Sequence, residues 1–480
     1  MAFDIYDPIN INFMRRILLL LILSVSFSLL WAQADVSSKI DYLIKGLPAG
    51  SEVGISVFDL TAKKPVYTYR DTKLCRPAST MKLLTTITAL SRPDADEPFR
   101  TEVWYKGIIE QDTLRGDLYV IGGFDPEFDD QSLDTLVDKV ITYPFSAIDG
   151  RVYGDISMKD SLYWGHGWAW DDTPAAYQPY LSPLMYHKGM VTVTVTPSVE
   201  RGEAASVVCD PASSYYTLTN TTRTRTPSAG KFELTRGWLE NKNNLMVSGN
   251  VENRHSSDIN VFSSQDFFMH VFSERLKDRG MEIPFGYAFA AFTPDSLSTC
   301  MVRYERPVQE VVNQTMKESD NLSAEALLCR LGAQATGKKH ISAKDGIAEI
   351  NKLIRQLGHQ PADYKIVDGC GLSNYDYLSP ALLVDFLKFA YSRTDVFRKL
   401  YKSLPVAGID GTLKYRMKQT KAYKNVHAKT GSYTAINALA GYLKASNGHD
   451  IAFVIMNQNV LSAAKARDFQ DKVCGVLCEF

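Results

Sequence analysis

The sequence predicts an α/β protein whose body is built from the beginning and end of the chain and is interrupted by a β-rich insertion. Three observations lead there. Hydrophobic periodicity is helical over Ser79–Leu90 and again in stretches from Val308 to Gln356, but has mostly β texture between Arg100 and Ile283. Near-continuous apolar runs at Ile436–Leu443 and Ile451–Met456 read as strands covered on both faces. Finally, 240 positions separate Ser79 from Ser319, far more than a hairpin or a helix can use. An insertion of roughly 200 residues accounts for them.

The elements follow in order. Arg15-Arg16 precedes a 15-residue apolar run, Ile17 to Trp31, and then Ala32-Gln33-Ala34. This reads as an export signal over residues 1–34, with Met14 as an alternative start and an uncleaved N-terminal anchor as the competing reading. The run is short against the roughly 20 residues a bilayer span needs. The body is therefore expected outside the cytoplasm, in the periplasm or cell envelope, soluble or peripherally attached to membrane or wall. Ile55–Leu60 and Val66–Tyr69 form an expected antiparallel hairpin with Thr61–Pro65 as its turn. Pro77 leads into a helix striped by Leu83, Leu84, Ile87 and Leu90. Strands are expected at Gly116–Ile121, Met190–Thr196 and Leu245–Val251, and an exposed loop at Asn220–Lys231. Helices are expected at Phe267–Leu276, Val308–Met316, Ala324–Leu331, Asp345–Gln356 and Pro380–Tyr391, and a last one over Ser462–Leu477. The expected domains are a body of residues 35–95 and 305–480, and an insertion of residues 96–304.

Composition narrows the classes. At 45% hydrophobic and 22% charged residues the chain has ample core material. A formal net charge of -1 gives no basic footprint for nucleic acid. The eight histidines form no HExxH-type pair, so neither a metal nor another cofactor is expected. Seven cysteines leave at least one thiol free or paired between chains, and none shows metal-ligand clustering. Cys474 and Cys478, one helical turn apart, read as separate thiols.

Three short motifs carry the chemistry: Ser79-Thr80-Met81-Lys82, Ser319-Asp320-Asn321 and Lys429-Thr430-Gly431-Ser432. Singly, the first two are weak. Ser-x-x-Lys recurs at Ser228–Lys231 and Ser462–Lys465, and Ser-x-Asn at Ser248–Asn250, whereas Lys-Thr-Gly occurs once. Taken in order, they are the parts of a serine hydrolase with lysine as base. Ser79 and Lys82 share a helix face, so Oγ and Nζ come within hydrogen-bond reach. Lysine acts as a base only if burial or a second cation, for which Lys429 is the candidate, lowers its pKa. The Ser79 backbone N–H is a first-turn donor open to an oxyanion. Ser319 would relay a proton towards the leaving amine and Asn321 would bond a substrate amide; the plain reading of that segment is a helix-capping turn. Lys429 and Thr430 would hold a carboxylate, Gly431 would admit the substrate closely, and the Ser432 N–H would be a second oxyanion donor. A Ser-His-Asp triad is assembled in space, and no Gly-x-Ser-x-Gly elbow recommends one; His427 reads as a strand-edge residue.

Pro77–Lys82, Glu318–Leu322 with Ala324-Glu325, and His427–Gly431 resemble the class C low-molecular-mass penicillin-binding proteins, the D-alanyl-D-alanine carboxypeptidases/endopeptidases. Gly116–Tyr119 with Asp125-Pro126, Gly167–Asp172, Asp368–Ser373 and Leu404–Leu413 extend the resemblance over nearly the whole mature chain. It implies a penicillin-binding/β-lactamase-like domain, an antiparallel sheet flanked by helices, with a two-part insertion. It implies acylation of Ser79 by the D-Ala-D-Ala end or cross-link of peptidoglycan stem peptides, then hydrolysis, with β-lactams as covalent inhibitors. Position by position, Lys82 is the base, Ser319 and Asn321 the second motif, and Lys429 to Ser432 the carboxylate and oxyanion site. Asp171 or Asp172 would face the amine of a diaminopimelate side chain. Cys370 departs from the Ser common in relatives. A β-lactamase or esterase of the same fold, and a catalytically silent peptidoglycan-binding module, are the competing functions.

Overall fold

The computed structural model describes residues 16–18 and 35–480, so the expected export signal lies outside the described residues apart from Arg16–Leu18. Two compact units are distinguished. One holds the described residues up to Cys75 with Ser379–Lys388 and Pro405–Phe480; the other holds Arg76–Leu378 and Phe389–Leu404.

The first unit is built on a five-stranded antiparallel sheet. Its strands are β1 (Glu52–Asp59), β2 (Lys64–Tyr69), β3 (His427–Tyr433), β4 (Ile436–Lys444) and β5 (Asp450–Gln458), in the order β3-β4-β5-β1-β2. Every residue of β4 before Lys444, and every residue of β5 after Asp450, is buried, as the unbroken apolar runs predict. On one face Val53, Ile55, Val57, Leu439, Phe453 and Ile455 join Phe469, Val473 and Leu477 of the terminal helix Ala463–Glu479 and Val36 and Ile40 of the helix over 35–45. Ser462 caps that terminal helix through the Lys465 N–H. The β1–β2 turn is tighter than expected, because Lys64 and Pro65 already pair with β1.

The second unit carries the helices α1 (Met81–Leu90), α2 (Val308–Lys317) and α3 (Asn321–Thr336), with further helices at Ala343–Gln356 and Thr394–Ser403. All of α1 is buried, and Lys82 is its one charged residue. A helix enclosed all round sits at the centre of its unit, and α1 contacts the other four. Residues 96–304 add a six-stranded sheet containing Phe99–Glu110, Thr113–Ile121 and Ser298–Arg306. Val103, Leu118 and Val120 pack there with Leu133 and Leu136 of helix Asp130–Val140 and Phe268 and Phe272 of helix Ser264–Asp278. Two three-stranded sheets, formed by strands between Met190 and Asn260, complete the β structure of this unit.

A further expectation fails. The first part of Asn220–Lys231 is not a loop but belongs to the strand Thr217–Thr224, which pairs in parallel with Asn244–Val251. Polarity suggested a loop there, yet threonine is β-branched and Thr222 and Thr224 are buried. All seven cysteines are free thiols, Cys474 and Cys478 included. No helix among the described residues is long and apolar enough to cross a membrane.

Candidate active site

Ser79 lies in a 3-10 turn, Ala78–Thr80, that Pro77 leads into and that runs on into α1. The Thr80 hydroxyl donates to the Pro77 carbonyl at 2.7 Å. Ala78 adopts a φ of 45°, left-handed backbone that a non-glycine residue rarely holds. Such strain persists only where the surroundings over-determine it, and it gathers at functional sites. Here the surroundings are the loop Asp368–Ser373. Gly371 has a φ of +79°, and a Cβ placed on it would lie 1.9 Å from the Ala78 carbonyl oxygen, so only glycine lets the loop close on the serine turn. Asp368 shapes this loop from within: it accepts from the N–H groups of Gly371 (2.7 Å) and Ser373 (2.8 Å) and from the Trp168 indole (3.0 Å).

Lys82 is fully buried, and its Nζ has three neighbours: Ser79 Oγ at 2.9 Å, Asn321 Oδ1 at 2.7 Å and the Cys370 carbonyl oxygen at 2.8 Å. Two of these are carbonyl oxygens, which only accept. A neutral amine gives its two hydrogens to them and turns its lone pair towards the Ser79 hydroxyl. Burial lowers the Lys82 pKa, and this outweighs the negative potential of Asp368, Asp320 and Glu325, which acts the other way. Desolvation therefore favours the uncharged form of this amine.

Behind the lysine, Glu325 of α3 accepts from the Gly369 N–H at 2.8 Å. Burial first, and Asp368 second, push its carboxyl up to about 7. Burial and the neighbouring Asp368 likewise hold Asp376 well above the usual carboxylate range. Glu325, Asp368 and Cys370 bring their donor atoms within 4.8 Å of one another, a spacing that could hold an ion. This corrects the sequence expectation that no cysteine clusters with ligands, since the residues are far apart in the chain. Backbone N–H groups already engage both carboxylates, and burial keeps the Cys370 thiol protonated, so the cluster reads as a structural support.

The turn between α2 and α3 serves two purposes. Asp320 caps α3, accepting from the Ser323 N–H at 2.9 Å. Lys188 reaches Asp320 at 3.3 Å and Glu127 at 3.0 Å. Burial alone would lower the Lys188 pKa, but the two carboxylates outweigh it and raise it. Ser319 holds a φ of 62°, a second left-handed non-glycine residue at the site. Asn321 offers its Oδ1 to Lys82 and donates through Nδ2 to the Tyr177 carbonyl at 2.7 Å. The capping turn expected of Ser319–Asn321 is present, with Asp320 as the cap, and in the same turn Asn321 bonds Lys82.

Of the expected site residues, Ser79, Lys82 and Asn321 are joined by hydrogen bonds, and Ser319 lies two residues before Asn321 in the turn that opens α3. Lys429, Thr430, Gly431 and Ser432 lie on β3, the terminal strand of the first unit's sheet. There Lys429 is buried and donates to the Thr430 carbonyl at 2.8 Å, while the Thr430 hydroxyl bonds that of Thr412 at 2.8 Å. Asp171 and Asp172 occupy the 3-10 turn Trp170–Asp172; Asp171 is exposed, and Asp172 accepts from the Tyr177 hydroxyl at 2.9 Å. Sequence reasoning missed Tyr177, Lys188, the buried carboxylates and the Cys370 carbonyl. The Asp-Gly-Cys-Gly stretch flagged that loop, but no motif marks a main-chain acceptor.

A serine hydroxyl on a turn leading into a helix, bonded to a buried lysine amine, is the arrangement expected of a serine hydrolase. Within that class the chain belongs to the D-Ala-D-Ala carboxypeptidase 3 (S13) family, matched over residues 36–479. It is 28% identical over 449 residues to a D-alanyl-D-alanine carboxypeptidase of Actinomadura sp. (strain R39), covering 90% of this chain and 82% of that one. The structure is similar to penicillin binding protein 4 from Haemophilus influenzae, with a TM-score of 0.81 at 20% identity over 92% of this chain and 99% of that chain. It is also similar to that protein complexed with a β-lactam, with a TM-score of 0.74 at 19% identity over 92% and 99% of the two chains. The fold is that of the penicillin-binding proteins.

Proposed function

We propose that the protein hydrolyses the D-Ala-D-Ala end of peptidoglycan stem peptides, and cross-links of the same chemistry, through an acyl-enzyme on Ser79. The observation that carries this is the Lys82 amine, buried, 2.9 Å from Ser79 Oγ and committed to two carbonyl acceptors on its other sides. Lys82 takes the Ser79 proton as Oγ attacks the penultimate D-Ala carbonyl. The C–N bond breaks, and the leaving amine takes up a proton passed from Lys82 by way of Ser319. Water, deprotonated in turn, then attacks the ester and restores the serine.

Asn321 holds Lys82 and binds a substrate amide. Lys429 and Thr430 bind the terminal carboxylate, Gly431 leaves room for the substrate, and the N–H groups of Ser79 and Ser432 bind the oxyanion. Asp171 or Asp172 reads the amine of a diaminopimelate side chain. β-Lactams follow the same attack and stay attached, because their leaving amine remains tethered. The catalytic domain comprises residues 35–95 and 305–480, residues 96–304 are inserted in it, and residues 1–34 direct export to the periplasm or cell envelope.

Purified protein mixed with a stem pentapeptide ending in D-Ala-D-Ala tests the reading: free D-Ala accumulates with the native chain and not with Ser79→Ala. D-Ala release by Ser79→Ala, or none by the native chain, overturns it.

A further inference from the structure

The insertion carries a second recessed feature that the hydrolytic chemistry does not use. A cavity of about 380 Å³ is lined by Trp164, Trp168, Trp170 and Trp238 together with Thr173, Gln178, Leu239 and Asn241. Four of the chain's six tryptophans are gathered there. Trp170 and Trp238, from separate segments, face each other with ring centroids 5.4 Å apart and planes tilted by 34°. Trp170 is 72% exposed, unusual for so large an apolar side chain. No charged side chain lines the cavity. Among the described residues, the indole N–H groups of Trp164, Trp170 and Trp238 make no hydrogen bond, whereas that of Trp168 is held by Asp368.

Exposed aromatic faces ringed by unused N–H donors and amide groups suit a ligand that is apolar on its faces, polar at its edge and uncharged. A pyranose ring has that character: C–H bonds on its faces, hydroxyl or acetamido groups around its rim. An anionic or cationic peptide does not, because nothing in the cavity would balance its charge. The cavity lining is also tied through the chain to the reactive site. Gln178 lines it, and the preceding residue, Tyr177, has its carbonyl bonded by Asn321 at 2.7 Å. A stem peptide of a few residues, at about 3.3–3.6 Å per residue, spans the distance from a reacting terminus to its sugar attachment.

We infer that Trp164, Trp170 and Trp238 form a subsite for an N-acetylated sugar of the glycan strand that carries the stem peptide. The inference rests on the proposed peptidoglycan substrate. It makes the enzyme prefer peptides still attached to glycan.

Two measurements test it. The first compares KM for a bare stem pentapeptide and for the same peptide on its disaccharide, using the native chain, Trp170→Ala and Trp238→Ala. The native chain should show a KM about tenfold lower for the disaccharide form, corresponding to one well-placed stacking contact. Either variant should raise that KM to the bare-peptide value while leaving kcat and the bare-peptide kinetics unchanged. Equal KM values for the two substrates in the native chain, or variants that impair both substrates alike, overturn the subsite. The second measurement titrates intrinsic tryptophan fluorescence with chitotetraose, which contains no peptide. Saturable quenching that is lost in Trp238→Ala supports the subsite, and its absence in the native chain overturns it. Failure to release D-Ala from either substrate strikes the proposed reaction, and the sugar titration then decides the subsite alone.

Discussion

Lys82 Nζ stands 2.9 Å from Ser79 Oγ, within the helical turn that joins the two residues, and every other polar neighbour of that nitrogen is a carbonyl oxygen. Among its hydrogen-bond partners in the described residues, the serine hydroxyl alone carries a proton it could give, so a base role for Lys82 can be tested directly. A guanidinium cannot accept a proton at any accessible pH. Lys82→Arg is therefore expected to lower kcat/KM for D-Ala release by about 10²–10⁴-fold, the range typical of a lost general base. Stopped-flow acylation by a fluorescent penicillin should slow in parallel. Near-native acylation in this variant would contradict the assignment.

Glu325 supplies a pH test. Its carboxyl titrates near 7 in the folded protein against an ordinary value of 4.5. Between those values the native state holds a proton that the unfolded chain has lost, so this group's contribution to stability falls as pH rises through the window. Ionised Glu325 also raises the pKa of Lys82. Glu325→Gln should flatten the fall in Tm between pH 4.5 and 7, and should move the acid limb of the kcat/KM profile to lower pH. An unchanged pair of profiles would show that Glu325 does not titrate there.

The glycine at position 371 is a demanding point in the scaffold. Gly371→Ala meets both an unfavourable φ of +79° and the Ala78 carbonyl oxygen at 1.9 Å. The expected loss is about 1–3 kcal/mol of stability, seen as a fall in Tm, and a lower acylation rate because the serine turn shifts. A variant as stable and as active as the native chain would mean that the loop does not brace the nucleophile.

Cys370 acts through its carbonyl, which accepts from Lys82, while its thiol is fully buried and burial pushes its pKa well above the ordinary value. Iodoacetamide should leave this thiol unmodified in the native protein, as peptide mapping would reveal. Cys370→Ser should keep D-Ala release within about threefold, since the backbone acceptor is unchanged. Ready alkylation at neutral pH would show that the loop opens.

Periodicity made the sheet of the first unit legible, because β4 and β5 carry near-continuous apolar runs, as strands covered on both faces do. The Ser79–Lys82 pair was legible because a three-residue spacing on a helix has one geometric outcome. Thr217–Thr224 was not, since its β propensity is masked by polar side chains. Nor was the environment of Lys82. Its acceptors come from Asn321 and from a carbonyl in the Asp368–Ser373 loop, which share no local pattern with it and meet it only through the packing of α1, α3 and that loop. The Trp-Ala-Trp-Asp-Asp segment stood out in the sequence, but its partner Trp238 lies in a separate segment and was not legible.

Intact-mass measurement after incubation with benzylpenicillin, followed by peptide mapping, tests the central claim most directly. The account predicts a single covalent penicilloyl adduct on the peptide containing Ser79, formed by the native chain and absent from Ser79→Ala. An adduct on another residue, or none at all, would contradict it.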